Sequence, residues 1–378
     1  MKNYYQLLLL ACFFVLIFTA CQKDNIFEEQ GRKCDISEIS EVRINEIQVI
    51  GSHNSYRQRT HQPLLNVLQL FTSFLPEEND PLNEWEYNHV PLEEQFDAHN
   101  VRAVELDIYY DPEGGIFFNR AGLALVGESI SSGNQAYKEP GLKVLHIPDV
   151  DYRTHYVSFK DALRTILNWS NSNPNHTPIF IMLELKETKI PLPGFAQVKN
   201  FTEVAKASVP MEILDVLPEE KIFTPKEMRG DFNTLYEALQ ANGWPTIDEV
   251  KGKILFFGLG QDEIGELIFG TNSNTNDNDD HIIKIIDNPE TNFLKIEEAV
   301  SMGFIIRTRS DSGTKEARSG DVTRRDKAVE SGAQLIYTDY YQPDERFGID
   351  DRWTDYQFQW PIDNGKARVK ASNCYVLE

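Results

Sequence analysis

The chain has 378 residues, 41% hydrophobic and 25% charged, which is enough apolar material for one large globular domain or two ordinary ones and excludes a disordered or fibrous chain. Its formal net charge is −22, a surface that repels polyanions and excludes nucleic acid as a partner. The same charge weakens attraction to anionic membranes, so an anionic ligand requires a local basic patch or must be soluble.

Residues 1–20 stand apart from any core. A short start with Lys2 precedes an apolar run over 7–20, too short to span a bilayer comfortably. The run ends Phe18-Thr19-Ala20-Cys21. Small residues before a cysteine are similar to the lipobox of bacterial lipoproteins, in which Cys21 would become the lipidated first residue. Phe18 stands where that pattern usually has leucine. An ordinary cleaved signal and a retained anchor are the alternatives, and all three readings export the domain. Residues 21–40 read as a tether, 41–345 as the main domain and 346–378 as a C-terminal extension packed on it. Cys34 and Cys374 remain, one near each end, as candidates to pair in an oxidising compartment. No cysteine–histidine spacing suggests zinc, and the chain is read as a monomer.

In chain order, short apolar runs predict strands over 46–51 (EIQVIG), 101–109 (VRAVELDIY), 143–147 (KVLHI), 178–186 (PIFIMLELK), 253–258 (KILFFG), 282–286 (IIKII), 303–307 (GFIIR) and 333–338 (AQLIYT). Helical patterns lie over 92–99, 159–169 (with Ser158 as N-cap), 196–217, 231–241, 293–301 and 322–331. Eight such strands with interleaved helices predict a (β/α)₈ TIM barrel. A doubly wound open sheet is the competing architecture, but no glycine-rich phosphate loop follows any strand. Residues 56–85 form an insertion whose leucines and Phe71 suit core packing or a lipid-facing lid. Residues 111–139 are a second, Gly-rich excursion, and 271–280 read as a solvated acidic loop.

In a barrel, side chains at the C-terminal strand ends converge on one mouth. The first strand ends in His53-Asn54, the second carries Glu105 and Asp107, the third His146, and the fourth Glu184 and Lys186. Residues two apart point to the same side. Asn54, Glu105, Asp107 and Glu184 form an all-oxygen set suited to a hard cation such as Ca²⁺, which would offset the repulsion of clustered carboxylates. His53 and His146 beside it suit a base and an acid. Lys186, Arg307 and Arg309 are candidates to neutralise phosphate, and Asp339 to orient a histidine or bind a hydroxyl. Asp149, Asp151 and Arg153 are placed to shape the site, and His89 reads as structural.

These segments also resemble a known family. Ile50-Gly51-Ser52-His53-Asn54-Ser55-Tyr56 resembles the S-H-N-T-Y segment opening the barrel of phosphoinositide-specific phospholipases C, and Val104-Glu105-Leu106-Asp107 resembles their V-E-L-D strand. The stretches 144–153, 183–186, 243–246, 306–311 and 338–340 are similar to a secreted bacterial, calcium-dependent group of that family. The resemblance implies a PLC-like phosphodiesterase barrel, Asn54, Glu105, Asp107 and Glu184 as Ca²⁺ ligands, and His53 and His146 flanking the scissile phosphate. It implies phosphatidylinositol as substrate, with a cyclic inositol phosphate and diacylglycerol as products. Two other readings compete. One is a glycerophosphodiester hydrolase, which usually opens with His-Arg rather than His53-Asn54. The other is a non-catalytic surface lipoprotein that binds sugars or lipids.

Overall fold

The computed structural model describes residues 31–73, 81–275 and 280–378. The expected lipobox, and Cys21 with it, lies outside the described residues. So does part of the 56–85 insertion.

The barrel follows from strands that are apolar on both faces, the pattern of a parallel sheet covered by helices. Its staves are β1 (Ile47–Ser52), β2 (Val101–Tyr109), β3 (Ile179–Leu185), β4 (Ile254–Gly258), β5 (268–272), β6 (Ile283–Ile285), β7 (Ile305–Arg309) and β8 (Leu335–Thr338). Every neighbouring pair around the ring is parallel, and β8 returns to β1 to close it. β5 is split at Gly270: Ile268–Phe269 pair with β4, and Thr271–Asn272 pair with β6. A Cβ on Gly270 would lie 2.8–2.9 Å from backbone atoms of residues 261–263, so only glycine lets the chain pass there.

Two strand assignments change. The run 143–147 is not a stave: Lys143–Val144 pair antiparallel with the end of β2. The stave that takes its place in the count is 268–272, inside a stretch without a strand-length apolar run. Apolar periodicity cannot distinguish a parallel stave from an antiparallel flap, which explains the first error, and a stave broken by Gly270 into two-residue pieces leaves no periodic run to find, which explains the second.

Helices cover the outside. Ser158 caps Phe159–Ser172, its Oγ accepting from the Asp161 N–H at 3.1 Å, and Phe159, Leu163 and Ile166 are fully buried. The helix expected over 196–217 is confined to Glu203–Leu214, capped by Thr202. In the insertion, helix Gln62–Thr72 buries Leu64 and Leu65 but leaves Leu70 and Phe71 exposed.

At the barrel's other end, Gly365–Val369 pair antiparallel with the start of β1 and with Cys374–Leu377, which in turn pair with Arg32–Lys33. A disulfide joins Cys34 to Cys374 across a sequence separation of 340.

Candidate active site

Strand register does the assembling. Gly51 pairs with Ala103 and Tyr337, Asp107 with Glu184, and Arg309 with Tyr337. His53, Glu105, Asp107, Glu184, Lys186, Arg307, Arg309 and Asp339 all stand at the same parity as these paired positions, the parity of one sheet face. Their mutual contacts show that this face is the barrel interior at its C-terminal mouth.

Three carboxylates meet there. Oxygens of Glu105, Asp107 and Glu184 lie within 4.8 Å of one another. Burial first, and then the charge of Glu184, push Glu105 up to about 7 and Asp107 well above the usual carboxylate range. Both Asp107 oxygens are buried without a hydrogen-bond partner, with the Lys186 ammonium 3.3 Å from Oδ2 as an ion-pair partner. An all-oxygen cluster of mutually repelling carboxylates, with the buried Asp107 oxygens left without hydrogen bonds, fits a hard divalent cation such as Ca²⁺. Asn54 is buried close by, in the left-handed backbone region (φ 49°) that asparagine tolerates. Its Nδ2 donates to the Tyr87 hydroxyl at 2.8 Å, and its Oδ1 accepts from Tyr56 at 3.3 Å.

Each histidine has its own carboxylate. His53 Nδ1 lies 2.8 Å from Asp339 Oδ1, leaving Nε2 4.0 Å from Glu105 and 3.4 Å from Arg309 Nη1. Burial, then the nearby Arg309 and Arg307 charges, push its pKa well below the ordinary histidine value, which favours the uncharged ring. His146 Nδ1 lies 2.7 Å from Asp151 Oδ2. Asp151 also accepts from Arg57 Nε and Nη2 at 2.9 and 2.8 Å and from Thr60 Oγ1 at 2.5 Å. Burial alone would raise Asp151, but Arg57 and the bond to His146 outweigh it and hold the carboxylate at about 2. His146 reaches the mouth from the loop after the antiparallel flap rather than from a stave end, with its carbonyl held by the Tyr109 hydroxyl at 2.8 Å.

The cationic candidates are already paired. Lys186 bridges Asp107 and Glu184. Arg307 is ion-paired to Asp287 and lies 3.2 Å from Glu105 Oε2, with its guanidinium 4.6 Å from the Tyr337 ring centre. Arg309 donates to Asp339 Oδ2 at 2.5 Å. Asp339 thus supports both His53 and Arg309, and Asp311 supports it in turn by accepting its backbone N–H at 2.8 Å. His89 Nε2 is 2.8 Å from the His53 carbonyl and holds the loop. Sequence reasoning missed Arg57, Tyr87 and Asp287. Arg57 lies at the start of the insertion and Tyr87 just after it, and no strand-end signal marks them. Asp287 follows β6 just as His53 follows β1, so the stave-end rule would have found it.

A closed parallel barrel carrying two histidine–aspartate pairs and an acidic cluster at its C-terminal mouth defines the class: a TIM-barrel phosphodiesterase of the phospholipase C type. The chain belongs to the family described as phosphoinositide phospholipase C, Ca²⁺-dependent, whose model matches residues 42–370. Among solved structures it is similar to a calcium-dependent phosphoinositol-specific phospholipase C from Pseudomonas sp (16% identity, 85% of this chain and 95% of that one, TM-score 0.48). It is also similar to a Ca²⁺-dependent phosphatidylinositol-specific phospholipase C from Streptomyces antibioticus (13% identity, 79% and 95% covered, TM-score 0.45). A phosphodiesterase from Oleispira antarctica, in complex with sn-glycerol-3-phosphate, is further off (11% identity, 78% and 93% covered, TM-score 0.33). No curated protein sequence matches. The barrel assignment rests on the strand pairing itself.

Proposed function

We propose that the protein cleaves phosphatidylinositol to a cyclic inositol phosphate and diacylglycerol, with His53 as base and His146 as acid. The observation that carries this reading is the pair of histidine–aspartate contacts beside one acidic cluster. Asp339 and Asp151 each engage Nδ1, so Nε2 is the nitrogen of each ring available to substrate.

Glu105, Asp107 and Glu184, with the Asn54 carboxamide, would hold Ca²⁺. When bound, the ion supplies Lewis-acid stabilisation of charge on the phosphate and lowers the pKa of the attacking hydroxyl. His53, whose charged form is disfavoured by burial and by Arg309, takes the proton from the inositol 2-hydroxyl as that oxygen attacks phosphorus. His146 gives its Nε2 proton to the glyceride oxygen as the P–O bond breaks, and Asp151 holds the ring in line throughout. Arg309 and Lys186 contribute positive charge toward the phosphate, in a chain whose overall charge opposes it. The attack is intramolecular, so orientation supplies much of the acceleration.

The reading extends to location. The N-terminal pattern supports an exported protein anchored to a bacterial membrane through lipid on Cys21. The Cys34–Cys374 disulfide also favours an oxidising compartment.

The test is release of cyclic inositol phosphate from phosphatidylinositol vesicles, expected to cease with EGTA and return with Ca²⁺. Activity unaffected by chelation would overturn the metal assignment. Activity on glycerophosphodiesters alone would overturn the substrate.

A further inference from the structure

Lys186 sits where a cation is needed. Its Nζ is 3.1 Å from Glu184 Oε1 and 3.3 Å from Asp107 Oδ2, so it touches two of the three carboxylates that converge within 4.8 Å. Its side chain is only 11% exposed. The other cation at the cluster, Arg307, is held in place by Glu105, Asp287 and the Tyr337 ring together. Lys186 differs: among the described residues its ion-pair partners are these two carboxylates alone, at the end of a flexible stem near an open mouth.

We propose that Lys186 is a built-in stand-in for the divalent cation, displaced from Asp107 and Glu184 when Ca²⁺ enters and thereby released toward an incoming phosphate. The inference rests on the calcium reading of this cluster given above. In the metal-free protein the ammonium bridges Asp107 and Glu184 and offsets part of the repulsion between them. Once a divalent ion is coordinated by the same oxygens, an ammonium a few ångströms away is repelled and loses its acceptors. Cation binding and anion binding are then coupled, because the released charge is available to a phosphate only in the loaded protein.

Accessibility of Lys186 tests the exchange directly, without reference to turnover. The full chain is treated briefly with an amine-acylating reagent, with chelator or with saturating Ca²⁺, and the peptide carrying Lys186 is quantified by mass spectrometry. Lys226, 72% exposed, serves as the internal reference. Lys186 is expected to be protected without Ca²⁺ and to label several-fold faster with it. In parallel, calorimetry should show Lys186→Met binding Ca²⁺ roughly tenfold more tightly than wild type, because no ion pair need be broken first. Ca²⁺ binding with Lys186 equally protected, or with unchanged affinity in the variant, would overturn the exchange and leave the calcium site standing. Absence of Ca²⁺ binding by folded wild type would overturn the calcium reading and the exchange with it.

Discussion

His53 and His146 are one residue type set to two tasks by their surroundings. His53 is largely enclosed with two guanidinium groups, Arg309 and Arg307, near its ring, which disfavours a further positive charge. His146 is held by Asp151, whose negative charge Arg57 keeps in place. If these are base and acid, His53→Ala and His146→Ala should each lower turnover by about 10²–10⁴-fold with the far-UV circular dichroism unchanged. Wild-type turnover in either variant removes that residue from the mechanism. The Asp151 carboxylate also makes a prediction about acid stability. Its pKa falls from 3.8 to about 2 on folding, so the native state holds fewer protons than the unfolded one as pH falls. The stability it contributes, about 2 kcal/mol at one unit per 1.36 kcal/mol, is present above pH 3.8 and is lost as pH falls toward about 2. Urea unfolding across that window should show a sloping limb in wild type. In Asp151→Asn the limb should be shallower and stability lower throughout, since Arg57 is left buried without its counter-charge.

Among the elements, the staves carry the three clustered carboxylates, with Lys186 just past the end of β3, while loops carry His146 and its support. Glu105-x-Asp107 and Glu184-x-Lys186 were legible because a stave repeats every two residues. His146 was singled out for the wrong structural reason: a short apolar run looks alike in a parallel stave and in an antiparallel flap. The grip of Asp151 by Arg57 and Thr60 was not legible at all, because those residues come from a segment some ninety positions earlier (sequence separation 94 for Arg57). The split stave carries its own prediction. Gly270→Ala must press a Cβ against backbone atoms that cannot rotate away. It should destabilise the barrel by about 1–3 kcal/mol, measured as a lowered Tm. An unchanged Tm would mean that the break in β5 is loosely packed.

For the whole molecule, the Cys34–Cys374 bond ties the strand before the barrel to the last strand after it, at the end away from the mouth. Removing it in Cys34→Ser should cost about 2–4 kcal/mol, largely by freeing the unfolded chain. Activity at low temperature should persist, because the site lies at the opposite end of the barrel. Loss of activity in a fully folded Cys34→Ser protein would show that the two ends communicate. Taken by itself, the sequence determined the barrel class, the acidic strand ends and the two histidines, because these depend on local periodicity and on residue chemistry. Only the tertiary structure decided which carboxylate serves which histidine, that Lys186 rests on the acidic cluster, and where the ring is split. Those are contacts between residues far apart in the chain, and the order of residues along it does not encode them in any local pattern.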